Sequence, residues 1–160
     1  MRIKTIQDED FVNYKKPSMF IGIGHCNWKC CTEAGIAPSV CQNNELAQMP
    51  DIQITKEEIY QRYINNPITE AIVFGGLEPF THLSDIIHFI DYVRSQGCQD
   101  DIVIYTGFYQ NEIPYIHYYL QEQFDNIIIK YGRFIPNRPH KYDDILGVEL
   151  ISDNQYAVRL

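Results

Sequence analysis

Apolar residues along the chain fall into two alternating patterns. Four stretches are continuously apolar, as buried parallel strands are, and they cover residues 19–24, 71–74, 101–106 and 126–130. Between them, apolar positions recur every three or four residues at 55–65 and 81–97, and more weakly at 110–124. Strands that alternate with helices predict right-handed βαβ units. The pattern therefore predicts an α/β fold with a mostly parallel sheet and covering helices.

Local signals place the boundaries of these elements. Thr55 and Glu58 form a capping-box pattern that begins the first helix, Thr81 is the expected cap of the second, and Gly97 ends it. Short strands are expected at 1–6, 148–151 and 156–159. Segment 26–50 is rich in glycine, proline and asparagine, so it predicts a loop with at most one helical turn, at 44–48.

Composition narrows the class of protein. A chain of 160 residues with 45% hydrophobic residues predicts a single domain, 1–160, with an ordinary core. The net charge of −8 argues against a nucleic-acid partner, and the basic residues at 133–141 are expected in a solvated loop. The first residues show no apolar signal region, and no apolar run approaches membrane-spanning length. We therefore expect a soluble, reduced, cytoplasmic protein with no membrane partner.

Unusual residues follow each of the four long strands. The first strand leads into a cysteine-rich loop, the second into 75–79, the third into 106–108 and the fourth into 130–133. Ligand sites in parallel sheets lie beyond the carboxyl ends of the strands. The four segments are therefore expected to form one active site.

Four of the five cysteines lie within sixteen residues, at positions 26, 30, 31 and 41. In a reduced compartment such a cluster favours metal binding or redox chemistry over disulfides. Structural zinc prefers two short-spaced pairs, which this spacing does not supply. Adjacent cysteines rarely bind one small cluster, which leaves Cys26, Cys30 and either Cys41 or Cys31. Three thiolates on a four-iron cluster leave one iron open. The alternatives are structural thiols or a zinc site completed by His25. Isolated Cys98 is expected to be a packing residue or an incidental thiol.

These residues resemble the radical S-adenosylmethionine (SAM) enzymes, in particular the small activases of anaerobic ribonucleotide reductase and other glycyl-radical enzymes. The family pattern is Cys-x3-Cys-x2-Cys, with an aromatic residue and asparagine after the third cysteine. Cys26 and Cys30 match its first half, but position 33 is Glu33, and Cys41-Gln42-Asn43 resembles the displaced second half. Four further stretches are similar to family segments in the same order: Gly75-Gly76-Leu77-Glu78-Pro79, Tyr105-Thr106-Gly107-Phe108, Gly132-Arg133-Phe134 and Ser152-Asp153-Asn154-Gln155.

The resemblance implies a small partial (β/α) barrel that binds a 4Fe-4S cluster and SAM. The implied cluster ligands are Cys26, Cys30 and Cys41, with Cys31 in reserve for third place. The resemblance further implies an oxidoreductase in which the open iron chelates SAM and an external donor such as flavodoxin supplies an electron. Cleavage to methionine and a 5′-deoxyadenosyl radical then generates a glycyl radical on a partner, with anaerobic ribonucleotide reductase as the expected one.

The resemblance also implies roles around SAM, each with a plainer alternative. Gly75 and Gly76 allow close backbone approach, and Glu78 and the nearby carbonyls accept bonds from the SAM amino group. Lys130 pairs with the SAM carboxylate or is a strand-end lysine in water. The remaining polar residues have equally open roles: Thr106 binds the ligand or caps a helix, Asn43 orients the cluster loop or is a turn residue, and Asn154 and Gln155 bind adenine or the partner or form a turn.

Two other functions remain open at this point. One is a radical SAM enzyme that acts on another peptide or on a small molecule. The other is a non-enzymatic iron–sulfur or zinc-binding scaffold.

Overall fold

The computed structural model describes residues 1–160, which form a seven-stranded sheet and a separate two-stranded hairpin. The strands are β1 (Arg2–Asp10), β2 (Ser18–Ile23), β3 (Ile52–Gln53), β4 (Ala71–Gly76), β5 (Asp101–Tyr105), β6 (Ile127–Tyr131), β7 (Lys141–Asp143), β8 (Val148–Leu150) and β9 (Tyr156–Arg159). The helices are α1 (Lys29–Ala34), α2 (Asn44–Gln48), α3 (Lys56–Ile64), α4 (Leu83–Ser95) and α5 (Pro114–Gln123).

The sheet has the order β3-β1-β2-β4-β5-β6-β9. Its four central strands are parallel, with Ile21, Phe74, Ile104 and Ile129 in register across them. The flanking strands β1, β3 and β9 pair antiparallel. The prediction of a mixed α/β fold with a mostly parallel central sheet is confirmed. The sheet is open, with β3 and β9 at its edges, and it does not close into a barrel.

Alternate residues of the parallel strands pack into two different cores. Ile72 and Phe74 point into a core of 20 buried residues that α3, α4 and α5 complete. Ala71 and Val73 point to the opposite face, where Tyr14 and the β7–β8 hairpin cover them. The three longer helices therefore all lie on one face of the sheet, and none of the helices is long and apolar enough to span a membrane.

Four local features test the boundary predictions. The capping box at Thr55 and Glu58 is confirmed, and so is the helical turn at residues 44–48. The Thr81 prediction is wrong, because a 3-10 turn at Pro79–His82 precedes α4 and the Thr81 hydroxyl donates to the Glu78 carbonyl at 2.7 Å. The loop prediction for 26–50 missed α1, which contains Cys30 and Cys31.

Candidate functional site

A cavity of about 440 Å³ lies at the carboxyl ends of the four parallel strands. The structure brings together in its lining all ten residues that the sequence singles out as ligands or reserve ligand, namely Cys26, Cys30, Cys31, Cys41, Asn43, Gly75, Gly76, Glu78, Thr106 and Lys130. Parallel strands that all end at one edge account for this convergence. The predicted convergence of these residues at one edge of the sheet is therefore confirmed, and their roles stay predictions.

The cysteine loop reaches this cavity through short structured pieces. Trp28 takes a left-handed conformation, with φ 56°, and turns the chain into α1. Cys30 then lines the cavity at the first turn of α1, while Cys31 is the only buried residue of that helix. A 3-10 turn at Pro38–Val40 leads to Cys41.

Two of the four clustered thiols accept a backbone N–H. Trp28 N donates to Cys26 Sγ at 3.3 Å, and Asn43 N donates to Cys41 Sγ at 3.4 Å. Cys31 is buried, with 3% of its surface exposed. No cysteine forms a disulfide. Hydrogen bonds to sulfur are a feature by which proteins tune iron–sulfur clusters, and here they distinguish Cys26 and Cys41 from Cys31.

The charges around these thiols fit a bound cation. Burial raises the pKa of Cys26 to about 11, and the negative forms of Glu78, Cys30 and Cys41 raise it further. Burial also raises the pKa of Cys30. Several thiols and a carboxyl group share one cavity with the single ammonium of Lys130, so they can all be ionised together only when a further cation compensates them.

No group of three or more cysteine, histidine or carboxylate side chains is arranged around one point, as a single metal ion requires. A four-iron cluster makes a different demand, because each cysteine binds a separate iron. Three free thiols around one cavity, two of them with an amide donor, fit that demand in the chemistry of their donor set.

Glu78 is buried beside the thiols, with 5% of its surface exposed. Its carboxylate accepts the Thr106 hydroxyl at 2.7 Å and the Gly107 amide at 2.9 Å, while burial raises its pKa. The Thr106 hydroxyl also accepts the Phe108 amide at 3.1 Å. Thr106 therefore orients Glu78 and caps the turn after β5, and its hydroxyl is already engaged on both sides.

Lys130 is buried at the end of β6, with 7% of its surface exposed. Its ammonium donates to the Gly132 carbonyl at 2.9 Å. Burial lowers the Lys130 pKa to about 8, although Cys30 and Glu78 favour its charged form. The alternative of a strand-end lysine in water is therefore wrong, and the cavity contains a cation with few partners of its own.

Asn43 and the two glycines connect the cysteine loop to β4. The Asn43 side-chain amide donates to the Gly76 carbonyl. A Cβ at Gly75 would lie 2.9 Å from the Phe20 ring, and one at Gly76 would lie 2.6 Å from Leu46 Cδ2. The space beside these two glycines is therefore taken by the protein's own side chains. The contact of Asn43 with the Gly76 carbonyl favours its expected role of orienting the cysteine loop over that of a plain turn residue.

Arg133 is the residue of the site that sequence reasoning misplaced. It is buried, with 5% of its surface exposed, and it does not belong to a solvated basic loop. Its guanidinium binds Glu33, Glu112 and the Gly107 carbonyl. The one sequence signal that could have found it is its place in Gly132-Arg133-Phe134, directly after a strand that ends at the site.

Comparison with known proteins gives one family. The model of the 4Fe-4S single cluster domain matches residues 18–149, which is well over half of the chain and includes the whole cysteine loop. No curated protein matches the sequence. The chain thus belongs to the family of 4Fe-4S single cluster domains.

Proposed function

We propose that this protein is a radical SAM activase, which cleaves SAM reductively and generates a glycyl radical on a partner enzyme. The observation that carries the proposal is the set of three free thiols in one strand-end cavity, two of which accept a backbone N–H. The 4Fe-4S single cluster family occurs in radical SAM-type proteins, which supports the same function.

Cys26, Cys30 and Cys41 are the proposed ligands of the cluster. Cys41 is preferred to Cys31 as the third ligand, since Cys41 is half-buried and accepts the Asn43 amide, whereas Cys31 is 3% exposed. When bound, such a cluster supplies an electron to the SAM sulfonium and, through its open iron, a chelation site. The chain itself contributes the thiolates, their amide donors and a largely apolar cavity wall.

Lys130 and Glu78 are the proposed polar contacts of SAM. The Lys130 ammonium can pair with the SAM carboxylate. The Glu78 carboxylate already accepts hydrogen bonds from two amides and one hydroxyl, and it can accept one more. The cavity volume of about 440 Å³ lies in the range of small-molecule sites. A partial barrel of the radical SAM type would be formed by β2, β4, β5 and β6 with the helices on their outer face.

The proposed partner is a glycyl-radical enzyme, with anaerobic ribonucleotide reductase favoured by the motif resemblance. A flavodoxin-type protein is the proposed electron donor. The motif resemblance to activases of that reductase rests on residues 105–108 and 132–134, which lie at or just after the ends of β5 and β6.

Anaerobic reconstitution with iron and sulfide tests the proposal directly. We expect about four irons per chain and, with dithionite and SAM, formation of 5′-deoxyadenosine and methionine. Cys26→Ala should abolish both. Cys98→Ala is the matched control, because Cys98 lies apart from the cavity at the end of α4 and should leave both unchanged. A loaded protein that does not cleave SAM contradicts the proposal.

A second experiment tests the SAM contact separately from the cluster. Lys130→Met should weaken SAM binding to the loaded protein by about tenfold or more, because a buried carboxylate would lose its ion pair. Lys141→Met, at an exposed position of β7, is the control. Equal SAM affinity in the two variants would remove Lys130 from the site.

The partner step has its own readout. Mixing the loaded protein with an anaerobic ribonucleotide reductase, SAM and a reductant should produce the electron paramagnetic resonance doublet of a glycyl radical. SAM cleavage without that doublet, across several glycyl-radical enzymes, would favour a small-molecule or other peptide substrate instead.

A further inference from the structure

Arg133 is a buried arginine whose five N–H groups are all used. Its guanidinium makes paired hydrogen bonds to Glu33 and Glu112, including 2.9 Å to Glu33 Oε1 and 2.6 Å to Glu112 Oε2. The fifth bond reaches the Gly107 carbonyl at 3.0 Å, and the guanidinium lies 4.7 Å from the Tyr109 ring centre. Only arginine offers this planar fork, so the arrangement specifies the side chain as well as its charge.

These bonds join three separate parts of the chain. Glu33 lies on α1, one turn after Cys30, while Gly107 and Glu112 follow β5. Lys29, also on α1, adds a 2.6 Å ion pair to Glu112. The guanidinium of Arg133 therefore joins Glu33 of α1 to Gly107 and Glu112, and Lys29 adds a second link from α1 to Glu112.

Helix α1 has little else to hold it in place. It is six residues long, and Cys31 is its only buried residue. So short a helix is marginal without tertiary contacts. Its polar contacts through Glu33 and Lys29 therefore help to attach α1 to the strand ends.

Cys30 is the thiol that this attachment places. A Cβ at Gly107 would lie 3.0 Å from Cys30 Sγ, and the Gly107 carbonyl accepts a hydrogen bond from Arg133 at 3.0 Å. Phe134, the residue after Arg133, lines the same cavity as Cys30. The surroundings of Cys30 thus include one direct contact of Arg133 and the residue that follows it.

We propose that Arg133, Glu33 and Glu112 form a clamp that positions Cys30 for binding the cluster, an inference that rests on the proposed cluster function. Glu33 occupies the position where the Cys-x3-Cys-x2-Cys pattern has its third cysteine. In this chain that position anchors α1 through Arg133, and the third thiol comes from Cys41. Arg133 is a positioning residue, since its five hydrogen bonds go to Glu33, Glu112 and the Gly107 carbonyl and none reaches a cysteine sulfur.

Two variants and one control test the clamp. Arg133→Gln removes the fork, and Glu33→Gln removes one half of the clamp at a half-exposed side chain whose loss does not threaten the core. Arg138→Gln is the control, because Arg138 pairs with Asp153 at the surface, in the same loop region. We expect both test variants of the loaded protein to release iron to a chelator about tenfold faster or more, with Arg138→Gln unchanged.

The metal-free chain provides a readout that needs no cluster. Peptide mapping after brief alkylation should show faster modification of Cys30 in Arg133→Gln and Glu33→Gln, with Cys98 unchanged. Lower thermal stability with unaltered iron release and unaltered Cys30 alkylation would mean a purely structural role and would overturn the inference. If the wild type takes up no cluster, the proposed function fails, and the alkylation result still decides whether the clamp positions Cys30.

Discussion

Comparing Gly76→Ala with Gly97→Ala should distinguish the free-energy cost of crowding the cysteine loop from the cost of a left-handed backbone alone. Gly76 has φ 80°, and its added Cβ would lie 2.6 Å from Leu46 Cδ2 and 3.2 Å from Gly22 Cα. Gly97 has φ 84° but nothing within 4 Å of its added Cβ. The two glycines thus share the left-handed backbone and differ in the space around them.

The magnitudes follow from that difference. A left-handed non-glycine residue costs about 1–2 kcal/mol, which is the whole effect expected of Gly97→Ala. Overpacking adds about 1–3 kcal/mol, so Gly76→Ala should cost about 2–5 kcal/mol. Leu46→Ala removes the nearest clashing atom, and the double variant should recover much of the overpacking cost, leaving the strain and the tight Gly22 contact.

Urea unfolding of the metal-free chain measures each free energy. The predicted result is a favourable coupling of about 1–3 kcal/mol between Gly76→Ala and Leu46→Ala, with Gly97→Ala at the lower cost. Equal costs for the two glycine variants, or additive costs for Gly76→Ala and Leu46→Ala, would refute the packing of α2 on the end of β4.

Two further predictions concern stability at other places in the fold. Burial raises the pKa of Asp101, but hydrogen bonds from Arg159, Lys16 and Tyr14 outweigh it and hold that pKa well below its ordinary value. A depressed carboxyl pKa contributes stability above the unfolded pKa of about 3.9 and loses it as the pH falls below that value. Asp101→Asn should therefore cost about 2–3 kcal/mol at pH 7, and the difference from wild type should shrink below pH 4 in urea titrations; a constant difference would contradict it. Thr55→Ala removes the hydroxyl that accepts the Glu58 amide at 3.1 Å and should cost about 1 kcal/mol in thermal unfolding, whereas no loss would mean that the cap is redundant.

The parallel strands could be predicted because their signal is local. Runs such as Ala71-Ile72-Val73-Phe74 are apolar on both faces, and both faces are buried in the structure. The same order of strands fixed the edge at which Cys26, Glu78 and Lys130 meet. The site could therefore be located from sequence alone.

The parts that sequence reasoning missed depend on distant contacts. Helix α1 buries one residue and is attached through Glu33 and Arg133, which are 100 positions apart. Arg133 stands among prolines and basic residues, where local composition favours a solvated loop. Strand β7 carries Lys141 and Tyr142, both exposed, and pairs with β8 only because its hairpin covers one face of the sheet. Neither element has an apolar pattern of its own.

Iron content after reconstitution of Cys41→Ala and Cys31→Ala, side by side, tests the central claim most directly. We predict about four irons per chain in Cys31→Ala, as in the wild type, and loss of the stable cluster in Cys41→Ala. A full cluster in Cys41→Ala together with its loss in Cys31→Ala would contradict the assignment of Cys26, Cys30 and Cys41 as the three ligands.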